Sequence, residues 1–136
     1  MGSPKPILAR DARVSKRILI VDDLPAMRKL IRAYLEEETD FRVCGEAIDG
    51  LDAIDKAQTL KPDLIILDAS MPRMNGIEAA PKLKKLLPET PIILFTFHES
   101  IMHGFDAVEV GVDAVVTKAN GMFPLKESVK ALLCAA

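Results

Sequence analysis

Hydrophobic and polar residues follow two periodic patterns along this chain, and the two patterns alternate. Short continuous apolar runs rich in Ile, Leu and Val are typical of strands that are buried on both faces of a sheet. Each run is followed by a stretch in which apolar residues recur every three or four positions, as at Met27, Leu30 and Ile31, which indicates an amphipathic helix. The patterns predict strands over residues 17–23, 41–47, 64–68, 91–97 and 113–118, and helices over residues 24–38, 49–60, 75–87, 100–110 and 124–133.

Two of the predicted helices contain residues that disturb a regular helix. Pro81 lies inside the third helix, where it removes a backbone donor and clashes with the preceding turn, so we expect a kink or a late start there. Gly104 weakens the fourth helix, which Ser100 could cap and Gly111 could end. The regular alternation of strands and helices predicts an α/β domain with a parallel sheet that is covered on both faces.

The length of 136 residues suits one domain with a single hydrophobic core. Residues 1–15 are predicted to be a flexible N-terminal arm or a remnant of cloning, and residues 16–136 to be the domain. Cys44 and Cys134 lie far apart in the sequence and outside any metal-binding motif, which favours two reduced thiols.

The charge balance does not favour a polyanionic partner. Lys and Arg number 18 and Asp and Glu number 20, for a net charge of −2, so no overall field attracts nucleic acid or an anionic membrane. No apolar run approaches the roughly 18–20 residues that span a bilayer, and the N-terminal sequence lacks the apolar centre of a signal peptide. We therefore expect a cytoplasmic protein and no direct binding of nucleic acid or membrane by this chain.

Polar residues stand at the carboxyl ends of four predicted strands. Asp22 and Asp23 end the first strand, and Asp68, Thr96 and Lys118 end the third, fourth and fifth. Right-handed crossovers place the carboxyl ends of parallel strands at one edge of the sheet, where ligands bind, so these side chains should converge. Any one of them alone is more often structural, for instance as a helix cap. Adjacent carboxylates at about 4 Å cost roughly 4 kcal/mol at an effective dielectric near 20, which a divalent cation or a shifted pKa has to offset.

The convergent set favours chemistry on a phosphoryl group. An all-oxygen site made by few carboxylates suits Mg²⁺, which keeps several waters and usually binds together with phosphate oxygens. Lys118 would add a second positive group at the same place. An Asp carboxylate beside a metal ion is a competent nucleophile toward phosphorus. Asp68, alone at the end of the third strand, is the candidate acceptor.

The order of these residues resembles one known family. The pair Asp22 and Asp23, the segment DASMPRMNG over residues 68–76, Thr96 and Lys118 are similar to the receiver domain of two-component response regulators, and the similarity covers about residues 17–133. The resemblance implies a flavodoxin-like, doubly wound, five-stranded parallel sheet with strand order 2-1-3-4-5 and helices on both faces. The segment FTFHES and the general spacing look most like receivers that precede a helix-turn-helix output domain.

The resemblance also implies a role for each matching position. Asp68 corresponds to the phosphoacceptor, which a sensor histidine kinase or a phosphotransfer protein phosphorylates. Mg²⁺ would be bound directly by Asp23 and mainly through water by Asp22. The carbonyl oxygen of Ser70 and the carboxylate of Asp68 would complete the metal site. Such a protein is a phosphoacceptor rather than a turnover enzyme.

Thr96 and Lys118 correspond to the residues that respond to the phosphoryl group. In the resemblance, the Thr96 hydroxyl closes onto one phosphoryl oxygen and the Lys118 amine pairs with another. The fourth strand, the next helix and the fifth strand then re-pack, which changes a surface used for homodimerisation or for binding a partner.

Three positions depart from the family pattern. Val115 stands where the family usually has an aromatic residue, so we expect the activation signal to travel by backbone and helix movement. Ala119 replaces the proline that usually follows the lysine, and a cis bond is therefore not expected. Phe97 replaces a small residue beside the phosphoryl group, which predicts slower entry of small donors, slower attack by water and a longer-lived phosphoryl state.

Two other functions compete with this one. A phosphorylation-independent interaction module would keep the fold and lose the switch. Val115 and Ala119 leave this alternative open, and absence of Mg²⁺ binding would favour it. The complete set of site residues argues against it, namely Asp22, Asp23, Asp68, Thr96 and Lys118. A phosphohydrolase of the haloacid dehalogenase type would use Asp68 as nucleophile, but that family has an acid two residues later, where this chain has Ser70. We therefore favour the phosphorylation-dependent receiver.

Overall fold

A five-stranded parallel sheet forms the centre of the protein. The structure, a computed structural model, describes residues 15–97 and 107–134. The strands of the sheet are β1 (Arg17–Val21), β2 (Arg42–Ala47), β3 (Leu64–Leu67), β4 (Ile92–Thr96) and β5 (Ala114–Thr117). They are arranged in the order β2-β1-β3-β4-β5, and all four neighbouring pairs are parallel. The expected fold is therefore confirmed.

Helices pack on both faces of this sheet. The α-helices that the structure describes are α1 (Pro25–Glu38), α2 (Gly50–Leu60), α3 (Gly76–Leu86), α4 (Ala107–Val110) and α5 (Phe123–Leu133), and a short 3-10 helix (Lys118–Asn120) follows β5. The fourth predicted helix, over residues 100–110, lies largely outside the described residues, as does Gly104. Its predicted end is present, since Gly111 directly follows α4 and has φ +90°.

Alternate residues of each strand point into two hydrophobic cores. Leu19 and Val21 of β1 pack with α2 and α3, whereas Ile18 and Ile20 pack with α1 and α5. All four side chains are buried. Burial of such a side chain stabilises the fold by roughly 1.5–3 kcal/mol relative to its exposure to water. Strands covered on both faces have no polar side, which explains the continuous apolar runs in the sequence.

Helix α3 begins before its proline rather than after it. Asn75 Oδ1 accepts a hydrogen bond from Glu78 N at 2.9 Å, and Glu78 Oε1 accepts one from Asn75 N at 3.0 Å, which is a complete capping box. Of the two expected effects of Pro81, the late start does not occur, because the cap stabilises the first turn ahead of the proline. The helix begins within one residue of the predicted range 75–87. The kink at Pro81 stays a prediction.

Two smaller expectations also have outcomes in the described residues. Cys44 and Cys134 are both free thiols, as predicted. Within residues 15–97 and 107–134, no helix is long and apolar enough to cross a membrane. The predicted N-terminal arm lies outside the described residues except for Ser15.

Candidate functional site

The strand ends bring the predicted site residues to one edge of the sheet. Asp22 directly follows β1, Asp68 directly follows β3, Thr96 is the last residue of β4, and Lys118 directly follows β5. All four side chains are buried, although all are polar or charged. Buried polar groups are costly without partners, so their interactions with one another determine what the site can do.

Lys118 links two of these carboxylates. Its Nζ atom lies 2.6 Å from Asp22 Oδ2 and 3.4 Å from Asp68 Oδ2. Burial raises the pKa of the Asp68 carboxyl above its ordinary value, Lys118 opposes this effect, and the negative charge of Asp22 adds to it. The balance is a raised pKa, which means that the ammonium group of Lys118 does not fully offset the effect of burial on Asp68.

Three carboxylates lie close enough to bind one cation. Asp22, Asp23 and Asp68 each offer an oxygen atom, and these atoms lie within 4.8 Å of one another. Asp23 is half-buried, while Asp22 and Asp68 are buried. An all-oxygen donor set with excess negative charge fits Mg²⁺, which prefers a few carboxylates and retained waters. The residues present therefore suit the expected ion.

A cavity of about 220 Å³ gives access to this cluster. Its walls include Asp23, Asp68 and Ser70, together with Phe97 and Lys118. The backbone N–H of Ser70 points to Asp68 Oδ1 at 3.4 Å. The predicted phosphoacceptor, two predicted metal-binding residues and the predicted amine thus share one opening.

Helix capping is the structural alternative to metal binding for Asp22 and Asp23. The residue at the N-cap of α1 is Leu24, and the helix has no side-chain cap hydrogen bond. Asp22 Oδ1 accepts from the Leu24 N–H at 2.9 Å, while its other oxygen faces Lys118. Neither acid therefore acts as the N-cap of α1, and a capping role does not account for Asp23.

An ion-pair network behind the acid pair was not predicted from the sequence. Arg28 Nη1 donates to the carbonyl oxygen of Asp22 at 2.8 Å, and its Nε donates to Glu46 at 2.9 Å. Arg32 donates to the second oxygen of Glu46 at 2.8 Å. Although burial raises the pKa of the Glu46 carboxyl, the hydrogen bonds from Arg32 and Arg28 outweigh this effect and hold the pKa low. The i, i+4 spacing of the two arginines was the available signal, but it did not identify their partner on β2.

Aromatic rings surround Lys118. Its Nζ atom lies 5.8 Å from the centroid of the Phe95 ring and 5.6 Å from that of the Phe97 ring, within the range of cation–π attraction. Phe95 is buried, whereas Phe97 is 57% exposed and lines the cavity. Phe97 therefore gives the cavity an exposed aromatic wall beside its charged groups.

One known protein family matches most of this chain. Residues 18–130 match the model of the response regulator receiver domain. The chain belongs to this family. The receiver domain is 36% identical over 114 residues to the response regulator protein VraR of Staphylococcus saprophyticus, an alignment that covers 84% of this chain and 54% of VraR. VraR of Staphylococcus aureus is 35% identical over the same length. The receiver domain thus spans about half the length of the curated relatives it matches.

Solved structures show the same fold as this receiver domain. A LuxR-family two-component response regulator from Aurantimonas sp. SI85-9A1 superposes with a TM-score of 0.82 at 29% identity, over 88% of this chain and 86% of that one. TrrA from Thermotoga maritima, solved in complex with Mg²⁺-BeF, has a TM-score of 0.78 at 35% identity, over 86% and 98% of the two chains. The expected family, strand order and two-component function class are confirmed.

One further neighbour bears on the expected partners. A DNA-binding response regulator of the LuxR family from Staphylococcus aureus has a TM-score of 0.80 at 25% identity, over 87% of this chain and 98% of that one. The expectation that this chain does not bind nucleic acid gains no support from such a neighbour. It stays a prediction about the receiver domain alone.

Proposed function

We propose that this receiver domain accepts a phosphoryl group on the carboxylate of Asp68 from a phosphohistidine of a sensor histidine kinase or a phosphotransfer protein. The observation that carries the proposal is the cluster of Asp68 with Asp22 and Asp23, whose carboxylate oxygens lie within 4.8 Å of one another. Lys118 faces the same cluster, 3.4 Å from Asp68. A buried group of acids is stable only with cations beside it, and the same cations attract a phosphoryl group.

Mg²⁺ would be held by Asp22, Asp23 and Asp68 and by the carbonyl oxygen of Ser70. When bound, the ion neutralises negative charge that develops on the transferring group. The carboxylates and Lys118 together carry an excess of negative charge that one divalent cation balances. The Mg²⁺-BeF complex of the related TrrA supports this proposal.

The chemical step uses the chain's own groups in defined roles. An oxygen of Asp68 forms a bond to phosphorus while the bond from phosphorus to the donor imidazole nitrogen breaks. The electron pair of that bond leaves with the imidazole, which takes up a proton from solvent. Lys118 donates hydrogen bonds to a phosphoryl oxygen and stabilises the charge that develops there. The product is an aspartyl phosphate and a neutral histidine.

The same proposal assigns Thr96 the role of sensing the new group. Thr96 ends β4 and is buried beside the strand that carries Asp68. Its hydroxyl closing onto the phosphoryl group would shift β4, α4 and β5, and thereby a surface for homodimerisation or for a partner. Val115 is half-buried against the core between α3 and the sheet, which fits a signal carried by backbone movement rather than by an aromatic side chain. We also propose a cytoplasmic location and the role of an acceptor rather than a turnover enzyme.

Phosphorylation of Asp68 can be tested by intact mass. After incubation with Mg²⁺ and acetyl phosphate, we expect the parent protein to gain one phosphoryl group and Asp68→Asn to gain none, because an amide is not a nucleophile of this kind. Asp55→Asn, which alters an exposed aspartate on α2, is the matched control and should gain the group as the parent does. Uptake by Asp68→Asn would place the acceptor elsewhere.

The same experiment separates the competing functions. A parent protein that gains no phosphoryl group from acetyl phosphate or from a phosphorylated histidine kinase, and that binds no Mg²⁺, would overturn the proposal in favour of a phosphorylation-independent module. Continuous release of phosphate from a general phosphatase substrate would instead favour a phosphohydrolase.

Phe97 should slow both the phosphorylation of Asp68 by small donors and the attack of water on the phosphoryl group. Because its ring lines the cavity beside Asp68 and Lys118, we expect Phe97→Ala to accept from acetyl phosphate several-fold faster and to lose the phosphoryl group several-fold faster. Both rates can be followed by intact mass over time at saturating Mg²⁺. Phe123→Ala removes an aromatic side chain that is 60% exposed and lies outside this cavity, and serves as the control. Equal lifetimes in the parent and Phe97→Ala would remove the shielding role.

A further inference from the structure

A buried carboxylate at the start of α2 depends on a distant arginine. Asp49 is 1% exposed, and its Oδ1 accepts from the Asp52 N–H at 2.8 Å, which caps the helix. Its Oδ2 forms an ion pair with the guanidinium of Arg73 and has no hydrogen-bond partner elsewhere in residues 15–97 and 107–134. The backbone N–H of Asp52 lowers the pKa of the Asp49 carboxyl, burial opposes this, and Arg73 lowers the pKa further. The carboxylate is therefore charged, and Arg73 supplies its counter-charge.

Arg73 has an unusual backbone conformation for an arginine. Its φ of +63° is left-handed, a region that a residue with a long side chain adopts only when its surroundings require it. The side chain is 58% exposed, so burial of apolar area does not provide that requirement. The guanidinium instead forms an ion pair with Asp49, which links the loop after β3 to the start of α2.

The same loop carries the predicted metal-binding carbonyl and has two further anchors. The Gly50 N–H at the start of α2 donates to the Met74 carbonyl at 2.9 Å, and the Gly76 N–H donates to the Ala69 carbonyl at 3.0 Å. A Cβ atom on Gly50 would lie 2.8 Å from the Met74 carbonyl oxygen, so the two segments are in close contact. Ser70 lies between these anchors, and its backbone can move only as far as they allow.

We propose that Arg73 is a positioning residue for the Mg²⁺ site, holding the Ser70 segment in its metal-binding shape through the ion pair with Asp49. This inference rests on the proposed function, since it concerns the same metal site. Arg73 itself does not touch the ion. It connects the start of α2 to the loop after Asp68, and thereby limits the positions that the Ser70 carbonyl can take.

The sign of the change in Mg²⁺ affinity distinguishes a positioning role of Arg73 from an effect of its charge alone. Arg73 is a cation near a cation-binding site, so its removal should strengthen Mg²⁺ binding if only its charge mattered. If it positions the loop, its removal should weaken binding, because the site then has to be ordered by the ion itself. The two explanations therefore predict opposite signs for Arg73→Ala.

We would titrate the metal-free proteins with Mg²⁺ and follow backbone amide shifts by NMR, which needs no phosphoryl transfer. We expect Arg73→Ala to bind Mg²⁺ roughly three- to tenfold more weakly, below the 10–100-fold typical for partners that touch a ligand directly. Lys56→Ala is the matched control, since it removes a half-exposed cation from α2 that contacts Asp52 and Glu46 but not this loop. It should bind Mg²⁺ as tightly as the parent or slightly more tightly.

A double-mutant cycle provides the second measurement. Asp49→Asn keeps an oxygen for the Asp52 N–H and removes the charge that pairs with Arg73. If the two residues act as one unit, the double variant binds Mg²⁺ as weakly as either single variant. If they act as separate charges, their opposite effects cancel and the double variant binds like the parent, which overturns the proposal.

Folding and the underlying function are checked separately. Amide exchange in metal-free protein should speed up at Gly50 and Gly76 in Arg73→Ala while the amides of β1 stay protected, which shows a loosened loop in a folded domain. Arg73→Lys keeps the charge without the planar fork and should give an intermediate affinity, so that the test stands even if the alanine variant unfolds. Unchanged or tighter Mg²⁺ binding by folded Arg73→Ala overturns the inference. No Mg²⁺ binding by the parent would contradict the proposed function instead.

Discussion

Lys118→Met is expected to nearly abolish phosphorylation of Asp68 and to destabilise the Mg²⁺-free fold. The ammonium group lies 2.6 Å from Asp22 and 3.4 Å from Asp68, and both carboxylates are buried. Without the ammonium group, the charge that develops on the phosphoryl group during transfer loses a hydrogen-bond donor. Loss of one such donor costs about 100- to 1,000-fold in rate. Methionine has a similar length, so the change removes charge with little change in volume.

The stability effect follows from the same contacts. Breaking a buried ion pair by removing one partner typically costs about 3–5 kcal/mol, because the remaining charge is left without compensation. We expect about 3 kcal/mol, the lower end of that range, since burial already raises the pKa of the Asp68 carboxyl, so that protonation of this acid relieves part of the uncompensated charge. Mg²⁺ should recover part of the loss by binding the same acids.

Urea unfolding with and without Mg²⁺, together with initial rates of phosphorylation, measures both effects. Lys82→Met replaces an exposed lysine on α3 and should change neither quantity. A Lys118→Met protein that is phosphorylated at the parent rate would contradict the role of Lys118 in the reaction. If Lys118→Met and the parent are equally stable without Mg²⁺, the buried acids do not need the charge of Lys118.

Gly76→Ala is expected to lower the free energy of unfolding by about 2–3 kcal/mol, at the upper end of the cost of overpacking. A Cβ atom at this position would lie 2.1 Å from the carbonyl oxygen of Asp68 and 3.0 Å from Ala69 Cα. Both atoms belong to the backbone, so no side chain can rotate away, and the loop after β3 has to shift. The higher helix propensity of alanine offsets only about 1 kcal/mol.

The same shift should slow phosphorylation, because it moves the backbone of the acceptor itself. Gly45→Ala is the matched comparison: its Cβ would lie 2.6 Å from Leu60 Cδ1, the far end of a flexible side chain, and should cost clearly less. Urea unfolding of both variants and the phosphorylation rate of Gly76→Ala give the measurement. A Gly76→Ala protein as stable as the parent would mean that the loop adapts without strain.

The strands and the convergence of the site residues could be predicted from the sequence because both follow from local patterns. A continuous apolar run identifies a strand buried on two faces, and helical crossovers bring the ends of such strands to one edge. Asp22, Asp68, Thr96 and Lys118 each stand at the end of such a run. Their meeting therefore required no knowledge of side-chain contacts.

Local rules were less successful where two local effects competed. Pro81 predicted a kink or a late helix start, whereas the periodic pattern predicted a helix over residues 75–87. The helix runs from Gly76 to Leu86, because Asn75 and Glu78 form a capping box that stabilises the first turn before the proline is reached. The sequence contained both signals. Their relative weight depended on the hydrogen bonds that the loop before α3 could form. This loop is closed by the hydrogen bond from the Gly76 N–H to the Ala69 carbonyl and is joined to α2 by the one from the Gly50 N–H to the Met74 carbonyl.

By itself the sequence determined the strand order through its family pattern, the acids at the strand ends and the amine opposite them. Only the tertiary structure decided how these groups are supported. Arg28 contacts Asp22 and Glu46, and Arg73 contacts Asp49. Gly76 lies close to the backbone of Asp68. Each of these contacts joins two different segments of the chain. Side-chain periodicity shows which face of an element is buried, but the partner of a charged or small residue is set by packing between elements, which no local pattern contains.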